Sequence, residues 1–166
     1  MREMAFVAEA LCYPAPGSLE RLEIGWQNLP ASAAKDDLGA FLNYIQQLTL
    51  GEWEELHTHT LDLNPPAAPY LGYQTWGESY QRGIFMAQLN REFVEAGVSS
   101  QGELPDHLVP VLRYLDSTVQ PLPELLEILE PAVRKITTEL KKSDPNNPYL
   151  HLLKAVLSAY DSALVS

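Results

Sequence analysis

Apolar residues recur at three- and four-residue spacing along almost the whole chain, and prolines or glycines cut that pattern into short runs. A turn of α-helix takes 3.6 residues, so this period describes helices that each bury one face. Met4, Val7, Ala8 and Leu11 form the first stripe, which stops at Pro14. Ser18 stands where a capping side chain opens a second helix, with Leu19, Leu22, Trp26 and Leu29 inward and Pro30 closing it. Asp36 and Asp37 lie where a helix N-terminus favours negative charge, and Leu38, Phe41, Leu42, Ile45 and Leu48 carry the third stripe toward Gly51. Trp53, Leu56 and Thr60 mark a short helix within residues 52–61.

The segment L-N-P-P-A-A-P-Y (63–70) interrupts the pattern. Its three prolines hold the backbone extended or turned, which makes it a loop between two helical halves. Thr75 and Glu78 have capping-box spacing, so the next helix is expected to open near Trp76. Phe85, Leu89 and Phe93 carry it to Gly97, a fitting C-cap. Val111, Leu112 and Leu115 line a further helix. Pro121 and Pro123 start another that is expected to kink at Pro131 and reach Lys142. After the D-P-N-N-P turn (144–148), Leu150, Leu153, Val156, Leu157 and Tyr160 define the last stripe. No stretch alternates with the period of two that strands require. The expectation is an all-α, single-domain bundle of about seven to nine helices over residues 1–166, a length that suffices for a sizeable core.

Charge narrows the choice of partner. The net charge is −11, and between Glu52 and Glu130 thirteen acidic residues face three basic ones, Arg82, Arg91 and Arg113. Such a field repels nucleic acid and anionic lipid and attracts a basic peptide; it also serves simply to keep a surface solvated. Cys12 is the only cysteine, which rules out an intramolecular disulfide and suits a reducing cytoplasm. It lies on the apolar stripe beside Tyr13 and reads as a small buried hydrophobe. Glu3 and Glu9 break up what would have to be the apolar core of a secretory leader, and no run approaches the ~18–20 apolar residues of a membrane span. The expected location is cytoplasmic, with no integral membrane segment.

Two blocks stand out. In the first, Tyr70, Tyr73, Trp76 and Tyr80 are spaced three, three and four apart, which would align them on one side of a helical stretch. Rings so placed could grip a peptide through broad apolar faces with polar edges, or simply pack as core. Pro69, Gly72 and Gly77 argue against a continuous helix. G-E-S-Y-Q-R-G (77–83) overlaps this series, with Glu78 and Arg82 in the favourable order for a helical ion pair. Gly77 and Gly83 would admit a neighbouring backbone. The second block is E-L-P-D-H-L (103–108). Pro110 disfavours helix at Val109, which leaves Asp106 and His107 in the preceding junction. There they either cap the next turn or project into a groove and hydrogen-bond an incoming basic peptide.

Signatures of chemistry are missing. The chain has no G-x-S-x-G, no phosphate-binding glycine loop, no G-x-G-x-x-G and no H-E-x-x-H. His57 and His59 would diverge by about 200° on a helix. With one cysteine and no repeated ligand spacing, no metal site and no cofactor are expected, although His57, His59, Asp62 and His107 are the set on which one would have to be built.

The two blocks, about twenty residues apart, resemble the signature region of the NarJ-type nitrate reductase assembly chaperones, part of the wider TorD/DmsD group of molybdoenzyme chaperones. The G-E-S-x-x-R-G block is complete. L-C-Y-P (11–14) is similar to the L-x-Y-P that ends the first helix in these proteins, and T-L-D (60–62) occupies the place of their T-F-D. R-Y-L (113–115) departs from the pattern, since many relatives carry an acid before the aromatic. The likeness is firmest from Trp53 to Leu115. It implies a TorD/NarJ-like helical fold and a chaperone without catalytic activity. The partner it implies is the apo catalytic subunit of a molybdopterin oxidoreductase, with nitrate reductase the default client. That subunit would be held by its N-terminal or twin-arginine signal segment until molybdenum cofactor is inserted. Molybdenum cofactor biosynthesis proteins are further implied partners. The peptide-binding residues implied are Tyr70, Tyr73, Trp76, Glu78, Arg82, Asp106 and His107.

Overall fold

The computed structural model describes residues 2–165. Among these, nine α-helices follow one another: α1 (Arg2–Leu11), α2 (Ser18–Gln27), α3 (Ala33–Ile45), α4 (Leu50–His57), α5 (Leu71–Trp76), α6 (Tyr80–Ala96), α7 (Leu108–Ser117), α8 (Pro123–Ser143) and α9 (Tyr149–Val165). A π-helical turn (Thr58–Asp62) and a 3-10 turn (Pro65–Ala67) fill the break between α4 and α5. No strand forms among the described residues; a single antiparallel bridge joins Tyr70 to His107. The all-α expectation holds.

The stripes read from the sequence face one contiguous core. α1 packs on α7 and α9, α9 also lies along α3 and α8, and α5 rests on α8. Phe41 of α3 and Tyr149 of α9 meet edge to face at 5.3 Å, and the Tyr149 hydroxyl accepts from Trp53 Nε1 at 3.2 Å. Asn147 draws the middle of the chain onto this end. Its amide donates to Thr60 Oγ1 in the π-helical turn (2.8 Å), and its carbonyl oxygen caps α9 through the Tyr149 N–H.

Helix ends depart from expectation where local capping decides them. Ser18 is the first residue of α2 and not its cap. Gly17 takes that position with φ +87°, and Ser18 Oγ accepts instead from the Ala15 N–H. Ser32 caps α3, and Thr49 with Glu52 forms a reciprocal capping box that starts α4. α3 therefore ends at Ile45, and Leu48, in the turn before α4, still packs against the core. Thr75 caps nothing; its hydroxyl donates back to the Leu71 carbonyl inside α5, and Ser79 opens α6. Gly97 does cap α6, with φ +70°. α8 runs on through Pro131.

Replacing Phe41, which is fully enclosed, with Ala should cost about 3–5 kcal/mol of unfolding free energy, measured by urea denaturation.

Candidate functional site

The chain's two motif blocks meet across the bridge at Tyr70 and His107. The Leu71 N–H donates to the Asp106 carbonyl (2.9 Å) and the Leu108 N–H to the Pro69 carbonyl (2.8 Å). Directly opposed in this pair, the Tyr70 and His107 rings stand edge to face with centroids 5.0 Å apart. The Tyr70 hydroxyl donates to Glu103 Oε2 at 3.3 Å, and the same carboxylate lies 3.9 Å from His107 Nε2.

Behind the bridge sits a buried ion pair. Arg82 Nε donates to Asp106 Oδ2 at 2.9 Å and Nη2 donates to Oδ1 at 3.2 Å, a two-pronged match between planar groups. The Tyr73 N–H adds a third bond to Asp106 Oδ2. The guanidinium carbon lies 5.6 Å from the ring centroids of both Tyr70 and Tyr73. Hydrogen bonding to Asp106 raises the Arg82 pKa, against the opposing effect of burial. Gly72 makes room for this pair. A Cβ there would fall 2.8 Å from Asp106 Oδ2 and 3.1 Å from Arg82 Cγ.

These contacts correct several expectations. Asp106 is fully enclosed and its carboxylate is satisfied within the chain, so it does not project into a groove. His107, not Asp106, caps α7, its Nδ1 accepting from the Val109 N–H at 3.0 Å. The aromatic series does not share one helix. Gly77, at φ +68°, turns the chain between α5 and α6, and Tyr80 ends 87% exposed on α6. Trp76 packs on Phe85 with centroids 5.1 Å apart. Glu78 does reach Arg82, at 3.5 Å, from an exposed position before α6. No described residue closes on Gly77 or Gly83; the close approach occurs at Gly72, which lies inside α5 and does not break the helix as its residue type suggested.

On the far side of His107 a cavity of about 280 Å³ opens. The end of α1 (Leu11, Cys12, Tyr13), His57 with Leu61 and Asp62, and the loop before α7 (Gln101, Glu103) form its walls. Asp62 and Glu103 make it acidic, and Leu11, Leu61 and Val109 make it partly apolar. Cys12 is half-buried, donating to the Ala8 carbonyl, and burial pushes its thiol pKa up. Arg113 lies against this wall, reaching Gln101 Oε1 (2.7 Å), Cys12 Sγ (3.5 Å) and Glu9 (3.7 Å). His57 and His59 diverge as a helix requires, His57 into this cavity and His59 into another hollow beside α8. Among the described residues, no group of three or more His, Cys, Asp or Glu side chains is placed to hold a metal.

Asp106→Asn should cost about 3–5 kcal/mol in urea denaturation because it takes away the buried partner of the guanidinium and leaves it only the exposed Glu78, whereas Glu78→Gln should cost less than about 1 kcal/mol. His107 supplies a pH test. Burial lowers its pKa; Glu103, Asp106 and Asp62 pull the other way, and His57 adds to the lowering. The unfolded chain therefore takes up this proton first, near pH ~6.5. The contribution of neutral His107 is complete above that pH and declines as pH falls below it, where protonation of Nδ1 would also remove the α7 cap. His107→Asn, which keeps a capping oxygen, should flatten the loss of stability between about pH 7.5 and about pH 5.5 relative to the parent chain.

Comparison with known proteins agrees with this architecture. No protein-family model matches the chain. A Bacillus subtilis (strain 168) protein named as a nitrate reductase molybdenum cofactor assembly chaperone, NarJ, is 26% identical over 110 residues, which cover 65% of this chain. The match spans 59% of that relative's length. A crystal structure described as a redox enzyme maturation protein from Archaeoglobus fulgidus superposes with a TM-score of 0.65 at 18% identity, covering 100% of this chain and 94% of that one. The second likeness is one of fold, and it extends over the C-terminal third, where the sequence carries no motif. In sequence the chain is similar to a NarJ-type assembly chaperone, and in fold it is similar to a redox enzyme maturation protein.

Proposed function

We propose that this chain is an assembly chaperone for a molybdopterin oxidoreductase, nitrate reductase or a relative. It binds the N-terminal segment of the apo catalytic subunit and holds it for molybdenum cofactor insertion before export or membrane docking. The observation that carries this reading is the 110-residue match to a chain named for assembling the nitrate reductase molybdenum cofactor. The cavity beside His107 supports it physically, with two carboxylates above apolar walls, a surface that suits a basic segment with an apolar continuation. The roles of the motif residues divide accordingly. His107 forms part of the wall and Tyr70 packs edge-on against it, while Arg82, Asp106 and Tyr73 hold that wall in place from behind. Glu78 tethers Arg82 from the surface. Trp76, packed on Phe85, supports the start of α6. The chain does no bond-making of its own in this reading.

The test is capture from the native host. A tagged copy of the chain should co-purify with the large catalytic subunit of a molybdopterin oxidoreductase in its cofactor-free form. Recovery of no such subunit overturns the proposal. Binding of that subunit's N-terminal peptide, followed by isothermal titration, should weaken as salt rises, because added ions screen the contribution of Asp62 and Glu103.

A further inference from the structure

His57 is 7% exposed, yet its Nδ1 has no hydrogen-bond partner. Its Nε2 lies 2.9 Å from the Leu11 carbonyl. A carbonyl can only accept, so Nε2 carries the hydrogen, and in the neutral ring Nδ1 is left with an unshared lone pair. Buried acceptors without a donor are uncommon and each calls for an explanation. The ring lines the same cavity as Asp62 and Glu103, so three acceptor groups surround one hollow. The hydroxyl of Tyr13, which might have served as a donor, is engaged by Glu54. Tyr13 is 56% exposed and packs edge-on against His57 with centroids 5.3 Å apart, covering that ring from the solvent side.

We infer that this hollow is a subsite for one cationic N–H donor side chain, an arginine or lysine of the bound segment, with His57 Nδ1 as its innermost acceptor and Asp62 and Glu103 balancing its charge. The inference rests on the reading of this cavity as the place where a client segment enters. The size agrees with a side chain and not a larger ligand, since about 280 Å³ lies at the bottom of the range of small-molecule pockets. The arrangement also separates two tasks. Asp106, the more conspicuous acid, is already saturated by Arg82, and the acids that remain for a visitor are those on the other side of His107.

The experiment uses the full chain with labelled histidine nitrogens, titrated with N-acetyl-arginine amide and with its citrulline and norleucine counterparts. Citrulline keeps the N–H donors without the charge; norleucine has neither. A saturable movement of the His57 Nδ1 resonance is expected with arginine, a weaker one with citrulline and none with norleucine. Asp62→Asn combined with Glu103→Gln, both at exposed positions, should weaken the arginine response about tenfold while leaving the His57 resonance of the free chain in place. An unmoved Nδ1 resonance, or an equal response to norleucine, overturns the subsite. Capture of a molybdopterin subunit by a chain whose His57 ignores arginine would sink this inference alone. A His57 response to arginine in a chain that captures no such subunit would sink the chaperone reading alone.

Discussion

A carboxylate without solvent is tolerable only if its charge and its lone pairs are met, and Asp106 is met by Arg82 and by the backbone of Tyr73. That one pair joins three stretches distant in sequence: the start of α5, the first turn of α6 and the loop before α7. Each has other reasons to fold locally, but none of those reasons sets its position relative to the other two. Gly72 is the enabling residue, because any side chain there would occupy the space of the Asp106 oxygen. Removing Asp106 would leave the guanidinium beside two tyrosine rings with only the exposed Glu78 carboxylate, 3.5 Å away, to balance it.

What this arrangement delivers is a fixed His107. The bridge to Tyr70 sets its backbone, the cap on α7 sets its Nδ1, and Glu103 lies before its Nε2. The residue thereby becomes a partition. On one side the positive and negative charges of Arg82 and Asp106 cancel inside the protein. On the other, Asp62 and Glu103 remain uncancelled at the mouth of a cavity whose inner wall is the half-satisfied ring of His57. The long-range acidic character of the chain thus acquires a local address.

The helices were legible because a buried face repeats every three or four residues whatever the surroundings, and Phe85, Leu89 and Phe93, or Val111, Leu112 and Leu115, needed no tertiary knowledge to be assigned inward. Their ends were less so. Ser18 and Thr75 have the right side chains for caps, but capping also depends on backbone dihedrals: Ser79 adopts them in place of Thr75, and Ser18 falls inside α2 behind a left-handed Gly17. The same limit applied to the site. Asp106 and Arg82 stood out by type and by resemblance to a family pattern, while the direction of their side chains had no trace in the spacing. His57 appeared as half of an H-T-H pair with divergent rings; that its ring enters the cavity beside His107 depends on how α4 lies against the end of α1.

From sequence alone came the helical class, the break at the proline-rich segment, the acidic middle and the two blocks that must lie near each other if the family resemblance holds. Those follow from local chemistry: side-chain period, restricted proline dihedrals and formal charge. Only tertiary structure decided which acid is spent internally and which is left at the mouth of a cavity. Burial depends on what the rest of the chain places around a residue, and a carboxylate's availability changes completely when a guanidinium arrives from twenty-four residues away.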